Sequence, residues 1–169
     1  MISNHPPHFA IIGAGTAGLA TAILLARQNI QVSILEKASE LEPVGAGLLL
    51  QPSGLAVFEH LGLLDEVLRL GAKVTGLKGQ LPSGNLLVNS HYQQAHPDFY
   101  GVGIHRATLC HVLENKCREY SELITWQMNT DIQKLKETSN QVRVLGTKGG
   151  EAFDQAFDAV IIANGARSL

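Results

Sequence analysis

The sequence predicts an α/β fold with a parallel sheet, inserted helices and a β-meander, and three observations predict it. An apolar run at residues 9–12 leads directly into Gly13-Ala-Gly15-Thr-Ala-Gly18. A second apolar segment, residues 32–35, ends in Glu36, twenty-three positions after Gly13. A third, residues 157–163, is nearly continuous in apolar character and stops at Asn164-Gly165, as a buried parallel strand followed by a turn would.

The first segment reads as strand, turn and helix. A strand that turns abruptly into a helix needs backbone angles that a side chain disfavours, and Gly13 supplies them. Gly15 keeps a Cβ away from the main chain where a pyrophosphate would lie, on the N–H groups of Thr16 and Ala17 and the positive end of the helix dipole. Gly18 lets the helix approach the strand closely. Glu36, near the expected spacing of about 20 residues, is placed to accept hydrogen bonds from a ribose diol. The pattern therefore points to a dinucleotide.

Residues 44–54 hold small residues and a proline and read as a loop, with Ser53 capping a following helix over 55–61. A second helix is expected over 64–70, ending at Gly71 with Asp65 and Glu66 near its start. Residues 74–89 read as a β-hairpin turning at Pro82-Ser-Gly-Asn85, and 91–97 as an exposed connection. Apolar residues at Leu109, Val112, Leu113 and Cys117 have helical spacing within 106–120. Strands are expected at 123–128, 132–137 and 141–147, the last two forming the meander, before the return to the parallel sheet at 157–163.

Composition bounds the rest. At 169 residues, with 45% hydrophobic and 17% charged residues, the chain supports one substantial core. A net charge of −2 without a basic run gives no reason to expect nucleic acid. Residues 1–26 contain no Asp, Glu, Lys or Arg, yet they lack a basic n-region and carry the glycine pattern mid-run. They read as a buried strand and its covering helix rather than a signal or membrane span, so the cytoplasm is the expected location. Cys110 and Cys117 lie seven apart on one helix, about 10 Å along its axis, too far to bond, and read as reduced thiols. The seven histidines lack the spacing of a metal site, and no metal is expected.

Four segments in order then resemble the amino-terminal part of the class A flavoprotein monooxygenases, the aromatic-ring hydroxylases of the salicylate and p-hydroxybenzoate hydroxylase type. They are Gly13–Gly18; Leu35-Glu36-Lys37 followed by Val44-Gly-Ala-Gly47 and Gln51-Pro52; Gly103-Ile-His-Arg106-Ala-Thr-Leu109; and Asp158-Ala-Val-Ile-Ile-Ala-Asn164-Gly165-Ala-Arg-Ser168. The resemblance spans residues 9–169. It implies a Rossmann-like FAD-binding domain of the glutathione reductase type, incomplete over 1–169, with the carboxyl-terminal half and its second flavin motif absent.

It further implies FAD as cofactor, NAD(P)H as reductant and a small aromatic substrate. By the same resemblance Glu36, with Lys37 beside it, holds the adenosine ribose, Gly47 lies near the flavin, and Arg106 reaches the ribityl–pyrophosphate region. The main chain at Thr130 to Ile132 borders the adenine. Asn164 and Gly165 stand where the family usually has Asp-Gly; Asn keeps an acceptor, gains a donor and loses the charge, which weakens the inference about the nicotinamide. No catalytic acid, base or nucleophile is assigned. Two other readings remain open: an NAD-dependent dehydrogenase, which Glu36 would also suit, and a non-catalytic module that needs a partner chain to complete its pocket.

Overall fold

A computed structural model describes residues 6–41 and 45–165; positions 44 and 166–168 of the sequence motifs lie outside them. By its contacts the chain divides into two compact units, Val44–Val112 and the flanking pair Met1–Pro43 with Leu113–Leu169. No helix among the described residues is long and apolar enough to cross a membrane, and none of their His, Cys, Asp and Glu side chains form a group of three that could hold a metal.

The flanking unit holds the parallel sheet. Strand β1 (His8–Ile12), helix α1 (Thr16–Ala26) and β2 (Gln31–Leu35) form the expected opening. In the whole chain, with β3 to β7 and helices α2 to α4 assigned below, the sheet is completed by β8 (Ile124–Gln127) and β12 (Ala159–Ile162). The order is β12-β1-β2-β8, every pairing parallel, with Ile12 opposite both Leu35 and Ile162. The expectation that 123–128 precedes the meander as a strand holds, but its place is the edge of the parallel sheet.

The meander itself is β9 (Thr130–Glu137), β10 (Val142–Lys148) and β11 (Glu151–Phe157), antiparallel in the order β11-β10-β9. One addition and one correction follow. A strand over 151–157 occupies residues that the sequence reading leaves unassigned, and Phe157 ends it rather than beginning the last parallel strand. The reason is packing. Phe157 is 1% exposed and clusters with Ala10, Ile12, Leu35, Ile132 and Val144 between the meander and one face of the parallel sheet. Alternation along β1 sends Ile11 the other way, towards α1, where it lies near Gly18. The unit thus has a helix layer, a sheet and a covering meander, with an apolar cluster between sheet and meander.

At the amino-terminal end of β1, His8 ties three strands together. Its N–H donates to the Asp158 carboxylate at 2.8 Å, its Nε2 lies 2.9 Å from the Ser33 hydroxyl, and its ring meets Phe157 edge-on. Burial holds this imidazole below its ordinary value of 6.5, with the Asp158 charge pulling the other way. The unfolded chain therefore takes up a proton near pH 6.5 that the folded chain takes up only at lower pH. The stabilisation is complete above that value and is lost as pH falls through the folded pKa. The urea midpoint of the wild type should drop more between pH 7.5 and pH 5 than that of His8→Gln; parallel pH profiles for the two would refute this.

The second unit contains β3 (Gly47–Leu50), α2 (Pro52–His60), α3 (Leu64–Leu70), β4 (Ala72–Val74), β5 (Gly76–Gln80), β6 (Leu86–His91) and β7 (Gly101–His105). The α3 boundaries and the β5–β6 hairpin agree with the sequence reading, although Val74 belongs to β4 and pairs with Gly101. The reading of 44–54 as a loop is corrected: β3 is a strand, antiparallel to β7, which the sequence reading leaves unassigned. Ser53 is not a cap. The extended residue before α2 is Gln51, Pro52 occupies the first turn, and no side chain caps the helix. His91 ends β6, and a short 3₁₀ turn, Tyr92–Gln94, follows it.

Helix α4 (Arg106–Arg118) contains the boundary between the units. Its Cys117 thiol donates to the Leu19 carbonyl of α1 at 3.5 Å. Burial, helped by the Glu114 charge and opposed by Arg118, pushes that thiol up to about 12. Neither of the two cysteines is in a disulfide; Cys117 is buried and Cys110 half-buried. Since only thiolate reacts, a disulfide reagent at pH 8 should label no more than one thiol quickly, the second appearing on addition of denaturant. Two fast thiols in the native protein would contradict this burial.

Candidate functional site

The carboxyl ends of β1, β2 and β12 meet the start of β9 around a cavity of ≈ 590 Å³. Gly13, Gly15, Glu36, Lys37, Ile132, Asn164 and Gly165, seven residues that the sequence reading assigns to a cofactor, line it together with Thr130 and Asp131. This is the position where ligands of parallel α/β sheets sit.

Each wall has a local cause. Gly13 adopts φ +104°, and a Cβ there would stand 2.6 Å from the Ala163 carbonyl oxygen, so the turn after β1 and the end of β12 touch through bare backbone. The Gly13 N–H donates to Leu35 O and the Ala163 N–H to Ile12 O, both at 2.8 Å. A Cβ on Gly18 would lie 2.0 Å from the Gly13 carbonyl oxygen; Gly18 is buried behind the turn and shapes it without lining the cavity. By contrast a Cβ on Gly15 would find nothing within 4 Å. That open space is where a ligand can approach the main chain.

Helix α1 begins there. Its extended N-terminal flanking residue is Gly15, no side chain caps it, and no acidic residue stands in its first turn. Thr16 and Ala17 are the first helical residues, so their N–H groups have no intrahelical acceptor. Uncapped N–H groups and the dipole suit an anion, and the donor set fits the diphosphate of a dinucleotide.

Glu36 is held by its backbone and aimed by its side chain. Its N–H donates to Gln127 O at 3.0 Å, and its carbonyl accepts from the Thr130 N–H at 2.8 Å. One carboxylate oxygen accepts from the Ala14 N–H at 2.7 Å, the other from the Ala38 N–H at 2.9 Å. The carboxylate therefore links the glycine turn to the chain leaving β2, on the cavity wall. Lys37 reaches across to Asp131 at 3.2 Å. That pair was not legible in the sequence, because no local pattern connects positions 37 and 131.

Gly47 and Arg106 belong to the second unit. Gly47 pairs with His105 across β3 and β7, and the Cβ direction of Gly45 points at the Arg106 guanidinium, 3.7 Å from its Nε. Two motifs distant in sequence, 45–47 and 105–106, are thus neighbours in space. His105 is exposed.

Comparison with known proteins gives a consistent picture. The chain matches the family described as FAD binding domain over residues 8–169. It is 30% identical to 3-hydroxybenzoate 6-hydroxylase of Klebsiella oxytoca, the match covering 94% of this chain and 40% of that one. It is 31% identical to the phenazine 1,6-dicarboxylic acid hydroxylase PhzS of Lysobacter antibioticus, with the same coverage, 94% and 40%. The chain thus spans about two-fifths of the length of these curated relatives. Among solved structures, pqsL of Pseudomonas aeruginosa, described as a probable FAD-dependent monooxygenase, superimposes with a TM-score of 0.78 at 27% identity, covering 97% of this chain and 44% of that one. The p-nitrophenol 4-monooxygenase PnpA of Pseudomonas putida shares the fold, with a TM-score of 0.87 at 19% identity over 96% of this chain and 42% of that one.

Proposed function

The chain belongs to the FAD binding domain family, and from that membership we propose that it is the FAD-holding part of a monooxygenase that hydroxylates a small aromatic substrate with NAD(P)H and O₂. The observation that carries this reading is the ≈ 590 Å³ cavity with the glycine turn on one wall and Glu36 on the next. In this assignment the Gly15, Thr16 and Ala17 end of α1 binds the pyrophosphate, and Glu36 binds the adenosine ribose. The backbone at Thr130 to Ile132 borders the adenine. Asn164 and Gly165 hold the side towards the flavin, and the amide of Asn164 can both donate and accept there. Gly47 and Arg106 are the proposed flavin-end and ribityl–pyrophosphate ligands; a guanidinium can give two parallel hydrogen bonds to phosphate or hydroxyl oxygens.

When bound, FAD supplies the redox chemistry, taking electrons from the nicotinamide and activating O₂ so that one oxygen atom passes to the substrate. The residues named here bind and orient; they do not exchange protons with the substrate. The hydroxybenzoate and phenazine relatives support an aromatic substrate class, and the use of NAD(P)H proposed here accords with the cytoplasm as the working compartment.

The test is a titration of the purified chain with FAD, followed by flavin absorbance and fluorescence, with NADH as the control dinucleotide. FAD should bind more tightly than NADH, and the variant with both Glu36→Ala and Arg106→Ala should lose most of that affinity. A folded chain without affinity for FAD, or a double variant that binds as well as the wild type, overturns the reading.

A further inference from the structure

The cavity wall beyond Glu36 carries a charge arrangement that the family resemblance does not assign. Among the described residues lining the cavity, Lys37 is the sole cation, and Glu36 and Asp131 are the two anions. Lys37 is not left facing the ligand: its ammonium lies 3.2 Å from the Asp131 carboxylate.

A defect in strand pairing puts Asp131 there. In the β9–β10 ladder Leu145 pairs with Lys134 but Gly146 pairs with Ile132, leaving Gln133 as an extra residue. Such a bulge reverses which face the following side chains occupy. Leu135 packs on the core on one side of it, and Ile132 on the other. With unbroken alternation from Leu135, Gln133 and Asp131 would have turned inward and Ile132 outward. The bulge therefore brings Ile132 into the core and Asp131 to the rim. Gly146 permits it, since a Cβ there would come 2.0 Å from the Asp131 carbonyl oxygen.

We propose that Asp131 is the specificity-determining residue at the adenosine end of this site: by engaging Lys37 and adding its own charge beside Glu36, it makes the site reject an adenosine that carries a 2′- or 3′-phosphate. The inference rests on the dinucleotide reading above and deepens it. A free lysine at that rim would welcome an extra phosphate, as a basic residue does in sites that take NADP. A lysine neutralised by a carboxylate does not, and the remaining carboxylate of Glu36 repels one. The consequence is chemical sorting. A monooxygenase that uses reduced nicotinamides must keep phosphorylated adenosine carriers, NADPH and coenzyme A among them, out of its FAD pocket.

The experiment is displacement of FAD from the loaded chain by AMP and by adenosine 2′,5′-bisphosphate, compared at one low ionic strength. The wild type should favour AMP. Asp131→Asn should shift the preference towards the bisphosphate by roughly three- to tenfold, the range of a partly screened surface charge. Asp131→Glu should keep the wild-type preference, and Asp131→Asn combined with Lys37→Met should lose the shift. A merely structural role for Asp131 would weaken both competitors together and leave their ratio unchanged, which would overturn the proposal, as would a wild type that favours the bisphosphate. If FAD and AMP both fail to bind the folded wild type, the dinucleotide reading falls and this inference with it; if they bind and only the ratio is insensitive, this inference falls alone.

Discussion

Gly18→Ala should cost the fold at least about 3 kcal/mol, at or beyond the upper end of ordinary overpacking. The added methyl would stand 2.0 Å from the Gly13 carbonyl oxygen, 3.2 Å from the Gly13 carbonyl carbon and 3.3 Å from the Ile11 side chain. The first two are backbone in the turn itself, so no rotamer change relieves the clash, and either α1 or the turn must move. Gly15→Ala is the matched control. Its Cβ meets nothing within 4 Å, and its backbone, φ −74° and ψ 179°, is open to any residue. It should change stability by less than about 1 kcal/mol. Its methyl would nevertheless stand in the space proposed for the pyrophosphate, so FAD affinity should fall while the fold persists. Urea unfolding and FAD titration of the two variants separate the effects; equal stability losses would show that the contact geometry of the turn is misread.

Glu36→Ala should weaken FAD binding by about 10- to 100-fold, the loss of one or two charge-assisted hydrogen bonds at roughly 1.5 kcal/mol each. It should also destabilise the unliganded protein by about 1–3 kcal/mol, because the buried Ala14 N–H would be left without its acceptor. Glu36→Gln separates the contributions, since its amide oxygen can still accept from one N–H while the charge is gone. Urea midpoints without FAD report the carboxylate's role in the turn, and fluorescence titration its role at the ribose. If Glu36→Ala binds FAD normally but is less stable, the carboxylate serves the turn and not the ribose.

The parts legible in the sequence were those whose cause is local. The glycine turn, α1 and Glu36 follow from spacing along one β–α–β unit, and α3 from its acidic start and glycine stop. The β5–β6 hairpin follows from its Pro-Ser-Gly-Asn turn. The parts that escaped depend on distant partners. Gly47–Leu50 is a short run between glycine and proline, and only the pairing of Gly47 with His105, far along the chain, makes it a strand. Residues 151–157 alternate weakly, so β11 is fixed by its ladder with β10 and by Phe157 entering the core. The same holds within the site. Glu36 could be located by counting residues, but the Lys37–Asp131 pair depends on a bulge visible only once β9 and β10 are in register.

The bare-backbone contact between Gly13 and the Ala163–Asn164 peptide has a bearing on synthesis. During synthesis that turn lacks one of its two supports until residue 163 has emerged and β12 has docked beside β1. Such a late, long-range closure is slow by its topology. A flavin nucleotide therefore has no finished seat to occupy on the nascent polypeptide and must arrive after, or together with, β12.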